Sequence, residues 1–230
     1  MTHDSRLITA LDVPSTAEAE TLAGRIGAAC SFYKIGLQLL PIGGMELAAR
    51  LKGGGYSIFL DFKLHDIPAT VEKAARSIAQ AGVGDLLTVH AEPAVMRAAV
   101  EGRAGSDLKI LGVTVLTAYD DQMLEEMGYA FGARDLVMRR VDQAVEAGLD
   151  GVVASPLEAE AIRARVPADF LIVTPGVRPA GADAGDQKRI ATPSDALKAG
   201  ASHLVVGRPI TGADDPGAAA SMIAEQMRFA

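Results

Sequence analysis

The chain has a single cysteine, Cys30, no tryptophan, and an aromatic content of only 4%. One thiol excludes an internal disulfide and a multi-thiolate metal site, and it leaves Cys30 as a small core residue. So few rings provide no stacking platform for bases or single strands. Positive charge is also scarce: 22 Lys and Arg stand against 29 Asp and Glu, a formal net charge of −7. That balance argues against a broad nucleic-acid or anionic-membrane surface, so any phosphate must be gripped by a local pocket. No apolar run approaches the length of a membrane span, and the opening Met1-Thr2-His3-Asp4-Ser5 has no signal-peptide character. The expectation is a soluble, cytoplasmic protein with neither nucleic-acid nor membrane partners.

Apolar material is plentiful. Hydrophobic residues make up 49% of the 230, enough for a sizeable core. Strand-like runs recur at Leu7–Leu11, Phe32–Gly36, Ser57–Phe62, Leu86–Val89, Lys109–Leu116, Gly151–Ala154, Phe170–Val173 and His203–Val206. Between them lie segments of helical periodicity such as Ala17–Ala29, Pro41–Leu51, Val71–Ala81, Arg134–Ala147 and Leu157–Val166, and Pro216–Met227 closes the chain. Eightfold strand–helix alternation with short connections predicts a parallel sheet. Eight strands close a (β/α)8 barrel, whose usual length is about 250 residues. An open doubly wound sheet is the alternative. No linker or composition break divides the chain, so one catalytic barrel domain over residues 1–230 is expected. Its longest irregular connection, Thr174–Ala191, has the length of a functional loop.

The chemistry is concentrated in Asp61-Phe62-Lys63-Leu64-His65-Asp66-Ile67-Pro68, at the end of the third strand. With 17 Asp and 7 Lys in the chain, the spacing Asp-x-Lys-x-x-Asp would arise by chance about 0.04 times. Strand side chains alternate faces, so Phe59, Asp61 and Lys63 point one way and Leu60, Phe62 and Leu64 the other. The same period places Ile8, Ala10 and Asp12 on one face of the first strand and Phe32 and Lys34 on one face of the second. Each presumed inward row thus ends in ionisable groups, at the strand ends where such barrels build active sites. A solvated salt-bridge ring at the barrel mouth is the bland reading, and the alternation of sign opposes it. Acids on either side keep a lysine protonated and the lysine keeps them anionic, an arrangement suited to quenching a carbanion with a proton.

A second cluster follows the last strand, in Val205-Val206-Gly207-Arg208-Pro209-Ile210, where these barrels often bind phosphate. Gly207 admits close approach of an anion and Arg208 offers a bidentate fork. The preceding loop adds Arg178 and Gln187. Other features carry less: Gly53-Gly54-Gly55 lacks the Gly-Lys-Ser/Thr ending of a P-loop and reads as a helix terminator. His90, ending the fourth strand, is read equally well as pocket-lining, capping or core.

Together these segments resemble the orotidine 5′-phosphate decarboxylase family, from Leu7 to Ile210. The resemblance lies in Ala10-Leu11-Asp12, Lys34-Ile35-Gly36, the Asp61–Pro68 block with Thr70, Val113-Thr114-Val115-Leu116-Thr117, Thr174-Pro175-Gly176-Val177-Arg178, Gln187-Lys188-Arg189 and Val206-Gly207-Arg208-Pro209. Phe62 stands where leucine is commoner and Ala118 where serine is frequent; Phe62 should face the helices. The resemblance implies decarboxylation of orotidine 5′-monophosphate to UMP and CO2, without metal or organic cofactor. It implies a charged tetrad of Lys34, Asp61, Lys63 and Asp66, with Lys63 the proton donor to C6 and Asp61 beside the substrate carboxylate. It further implies a homodimer with composite active sites, in which Asp66, Ile67 and Thr70 are contributed across the interface. Asp12 and Lys34 match contacts to ribose hydroxyls, Thr117 a contact to the base, and Arg178, Gln187, Gly207 and Arg208 the phosphate grip.

Two rival readings remain at this point. A Mg²⁺-dependent sugar-phosphate decarboxylase or aldolase of the same barrel type shares the Asp-x-Lys-x-x-Asp block and the phosphate end. Those relatives have a glutamate in place of Lys34 to help hold the metal, whereas an ammonium repels it. A non-catalytic barrel that binds nucleotide phosphates is the other rival, and it has no need of Lys63 among acids.

Overall fold

The computed structural model describes residues 2–179 and 191–228. Strands β1 (Leu7–Ala10), β2 (Phe32–Gly36), β3 (Ser57–Leu64), β4 (Leu86–His90), β5 (Lys109–Val113), β6 (Gly151–Val153), β7 (Leu171–Thr174) and β8 (His203–Val206) are parallel and follow one another in chain order around a closed barrel. Closure is explicit, because Leu7, Ile8 and Thr9 stand in register with Leu204, Val205 and Val206. The open sheet is thereby excluded, and the arrangement is a (β/α)8 barrel.

Helices α1 (Thr16–Ile26), α2 (Gly44–Gly53), α3 (Pro68–Ala81), α4 (Pro93–Gly102), α5 (Asp121–Glu126), α6 (Ala133–Glu146), α7 (Ala159–Arg163), α8 (Pro193–Lys198), α9 (Arg208–Thr211) and α10 (Pro216–Met227) run between and after the strands. Local chemistry sets their ends. Ser15 caps α1 by accepting from the Glu18 amide at 3.2 Å, satisfying a donor that the first turn leaves orphaned. Ala19, Leu22, Ala23 and Ile26 then form the buried stripe expected at i, i+3, i+4 and i+7. Proline stands in the first turn of α3, α4, α8 and α10, where its missing N–H costs nothing. The Gly53-Gly54-Gly55 run ends α2, with Gly55 at φ 88°.

Two apolar layers hold the barrel. Ile8, Ala10, Phe32, Phe59, Leu86, Leu111, Val173 and Val205 fill its interior. A larger layer, including Leu11, Tyr33, Ile35, Ile58, Leu60, Phe62 and Leu87, packs the outer strand faces against the helices. Burying each large aliphatic or aromatic side chain stabilises the fold by about 1.5–3 kcal/mol. Phe62 faces the helices as expected, and Cys30 lies in the same outer layer.

Two strand ends differ from the sequence reading. β5 stops at Val113 rather than Leu116, because Arg140 takes the Thr114 carbonyl and the Thr114 hydroxyl turns to Val153 O at 3.0 Å. β3 continues to Leu64 rather than stopping at Phe62, because Leu64 regains pairing with Val89 after a register shift. That shift proves important for the site.

Candidate active site

One cavity of about 540 Å3 opens at the carboxyl ends of the strands, within the range of small-molecule sites. Asp12, Lys34, Asp61 and Lys63 line it from the β1–β3 side, Val115, Leu116 and Thr117 from beyond β5, and Arg178, Gly207 and Arg208 from β7 and β8. The inward rows read from the sequence therefore do converge, because apolar residues lower in each row, such as Ala10 and Phe59, form the cavity floor.

The charged groups make a continuous alternating chain. Lys34 Nζ lies 2.9 Å from Asp12 Oδ1 and 3.4 Å from Asp61 Oδ2, while Lys63 Nζ lies 2.8 Å from Asp61 Oδ1. Asp61 thus gives one oxygen to each lysine. The Lys34 side chain is 9% exposed and that of Asp61 14%, so removing one partner would strand the other in a low-dielectric site, a loss on the order of 3–5 kcal/mol. Burial alone pushes the Asp61 carboxyl up. Lys34 and Lys63, with the bonds from Lys63 and Thr88, outweigh it and hold the group below the usual carboxylate range. The two lysines thus favour the anionic form of Asp61.

Lys63 reaches the cavity by a route that simple alternation does not describe. Its φ is +48°, the left-handed region, which costs a side-chain-bearing residue on the order of 1–2 kcal/mol. At that turn the β3–β4 register jumps from Leu60↔Leu87 to Leu64↔Val89. The amide of Lys63 donates to the Thr88 hydroxyl at 2.9 Å instead. Thr88, fully buried on β4, is a site residue that the sequence reading missed. The only available signal was a hydroxyl within the apolar run Leu86–Val89, in step with Leu86, an inward residue.

The connection after β7 is held at its neck by pairing of Val177 with Ala191, where the Arg178 amide donates to Ala191 O at 3.0 Å. Arg178 is buried there, and its guanidinium also bonds Val177 O at 3.0 Å. Gln187, with Lys188 and Arg189, lies outside the described residues. Arg208 follows Gly207 as the first residue of α9, a solvent-exposed position on the cavity rim.

Asp66, Ile67 and Thr70 do not line this cavity. All three are exposed, Asp66 and Ile67 just before α3 and Thr70 in its first turn, Ile67 by 67%. Asp66 accepts from the Ile67 amide at 2.6 Å, which fixes the turn into the helix. His90 lies outside the cavity wall as well. Its ring centroid sits 4.9 Å from that of His65, whose Nε2 is 3.1 Å from Glu92 Oε1. Among the described residues, no group of three or more His, Cys, Asp or Glu side chains is placed to hold a metal ion. Also among the described residues, no helix is long and apolar enough to cross a membrane.

Comparison with known proteins gives a consistent result. The model of the "Orotidine 5'-phosphate decarboxylase / HUMPS family" matches residues 5–223. The chain is 61% identical, over 99% of both chains, to an orotidine 5′-phosphate decarboxylase of Caulobacter sp. (strain K31). It is 59% identical, again over 99% of both, to one from Caulobacter vibrioides (strain NA1000 / CB15N). Among solved structures, orotidine 5′-phosphate decarboxylase from Lactobacillus acidophilus superposes with a TM-score of 0.85 at 35% identity, covering 97% of this chain and 99% of that one.

Proposed function

This chain belongs to the orotidine 5′-phosphate decarboxylase / HUMPS family, and on that premise we propose that it converts orotidine 5′-monophosphate to UMP and CO2, the last step of UMP synthesis, with no metal or organic cofactor. The observation that carries the mechanism is the placement of Lys63 Nζ, 2.8 Å from Asp61 Oδ1 on the wall of the one cavity that also has Arg178 and Arg208 on its wall.

In the reaction, the bond from C6 of the pyrimidine to the carboxylate carbon breaks and its electron pair stays on C6. The Lys63 ammonium then gives C6 a proton, and the resulting amine recovers one from water. Asp61 pairs with the Lys63 ammonium at 2.8 Å until that moment, and its own charge lies beside the departing carboxylate. Lys34 holds Asp61 from the other side and, with Asp12, contacts the ribose hydroxyls. Thr117 contacts the base. Arg178, Gln187, Gly207 and Arg208 grip the phosphate, and binding energy from that remote group serves to position the reacting carbon.

The exposed segment carrying Asp66, Ile67 and Thr70 is read as the part that enters a neighbouring barrel in a homodimer, since these residues do not line their own cavity. The whole chain is read as one catalytic domain working in the cytoplasm. Against a Mg²⁺-dependent relative stands Lys34, whose ammonium lies between Asp12 and Asp61, where a divalent cation would have to sit. The test is loss of orotidine 5′-monophosphate absorbance with and without exhaustive EDTA treatment. Equal rates are expected. A chelator-sensitive activity restored by Mg²⁺ would favour the relative, and no activity at all would favour a silent phosphate-binding barrel.

A further inference from the structure

We propose that Thr88 is a positioning residue of this site, its hydroxyl fixing at once the left-handed turn that aims Lys63 and the orientation of Asp61. The proposal rests on the reading of Lys63 as the proton donor.

The polarity of the hydroxyl is fully determined. The Lys63 amide can only donate, so at 2.9 Å it occupies a lone pair of Thr88 Oγ1. The single hydroxyl proton is then free for an acceptor, and it goes to Asp61 Oδ1 at 3.1 Å. Asp61 Oδ1 in turn accepts from Lys63 Nζ at 2.8 Å. One hydroxyl therefore closes a ring that begins at the backbone of Lys63 and returns at its ammonium. Thr88 is fully buried, so solvent does not compete for its hydroxyl.

Among the described residues, Lys63 is the only non-glycine with positive φ. Such a conformation persists only where its surroundings over-determine it. The β4 backbone does not supply that constraint, because ladder pairing is interrupted between Leu60 and Leu64. Without the hydroxyl, the Lys63 amide loses its acceptor and the turn can relax toward ordinary strand geometry, swinging the side chain off its line to the reacting carbon. Asp61 loses its one fixed neutral donor in the same step and can rotate between the lysines.

The experiment compares wild type, Thr88→Val and Thr88→Ser for kcat, KM, UMP affinity by calorimetry, and the pH profile of kcat/KM. Valine keeps the shape of threonine and removes only the hydroxyl; serine keeps the hydroxyl and removes only a methyl. For Thr88→Val, kcat should fall on the order of 10- to 100-fold, as for misplacement of a reacting group, while UMP affinity stays within about threefold of wild type. The acid limb of its profile should move to higher pH, since a bond that helps hold Asp61 low is gone. Thr88→Ser should restore kcat and the acid limb. The proposal is overturned if Thr88→Val keeps kcat within about threefold, or if kcat and UMP affinity fall together, or if serine fails to rescue. Should Thr88→Val not fold, Thr88→Ala against Thr88→Ser poses the same question, differing by the hydroxyl alone. Failure of wild type itself to release CO2 would sink the underlying reading instead, and the two failures are distinguishable.

Discussion

Lys34 Nζ meets Asp12 Oδ1 at 2.9 Å across the mouth of the barrel, in space left by the absent side chain of Gly36. A Cβ built on Gly36 would lie 2.8 Å from both of those atoms. The glycine that ends β2 is thus part of the site's construction, and its role is to let the first two members of the charged chain touch.

Gly36→Ala should therefore damage catalysis without damaging the fold. The intruding atom meets the far ends of two flexible side chains, so the backbone need not move, but the pair must part by several tenths of an ångström. The expected loss is about tenfold in kcat/KM, with thermal stability close to wild type. Unchanged kcat/KM would show that the Asp12–Lys34 contact is dispensable.

A second prediction concerns the opposite end of the barrel. His203 opens β8 with its ring edge-on to Phe32 at 5.9 Å. Burial, with Lys109 and Arg6 nearby and Asp4 opposing them, pushes its pKa down from 6.5 to about 4. Below pH 6.5 the unfolded chain takes a proton that the fold refuses, so this residue lowers stability progressively as pH falls toward 4. Below that the penalty levels off. Over the whole interval the loss is on the order of 3 kcal/mol. Thermal melts at pH 7.5 and pH 5.0 should show a larger drop for wild type than for His203→Gln. Equal drops would mean that His203 takes up its proton in the fold as readily as in the unfolded chain.

The third prediction concerns the proposed composite site. Lys63→Ala and Asp66→Ala should each be inactive alone, and mixing them with subunit exchange should regenerate activity. In a heterodimer one site receives both defects and the other neither. Random re-pairing of equal amounts should then approach a quarter of the wild-type total for a two-fold interface. No recovery, with exchange demonstrated, would place Asp66 in its own chain's pocket.

The strand rows of this barrel were legible because hydrophobic alternation is enforced by two apolar layers, and the same period carried Asp12, Lys34 and Asp61 to the rim. Arg178, Gly207 and Arg208 were found from their positions after the seventh and eighth strands. Lys63 was placed correctly in the cavity, but through a left-handed backbone that no pattern of apolar residues encodes. Thr88 was missed for the same reason: its importance depends on a register shift between β3 and β4, a tertiary event. His90 could not be assigned because its setting is decided by His65, which follows β3 and is far from it in sequence.

The central claim is that Lys63 delivers the proton to C6. The most direct measurement is the rate of orotidine 5′-monophosphate decarboxylation by Lys63→Ala, with UMP affinity measured on the same sample. The account predicts loss of decarboxylation with UMP affinity largely kept, because Arg178, Gly207 and Arg208 are untouched. A variant that retained most of the wild-type kcat would contradict it.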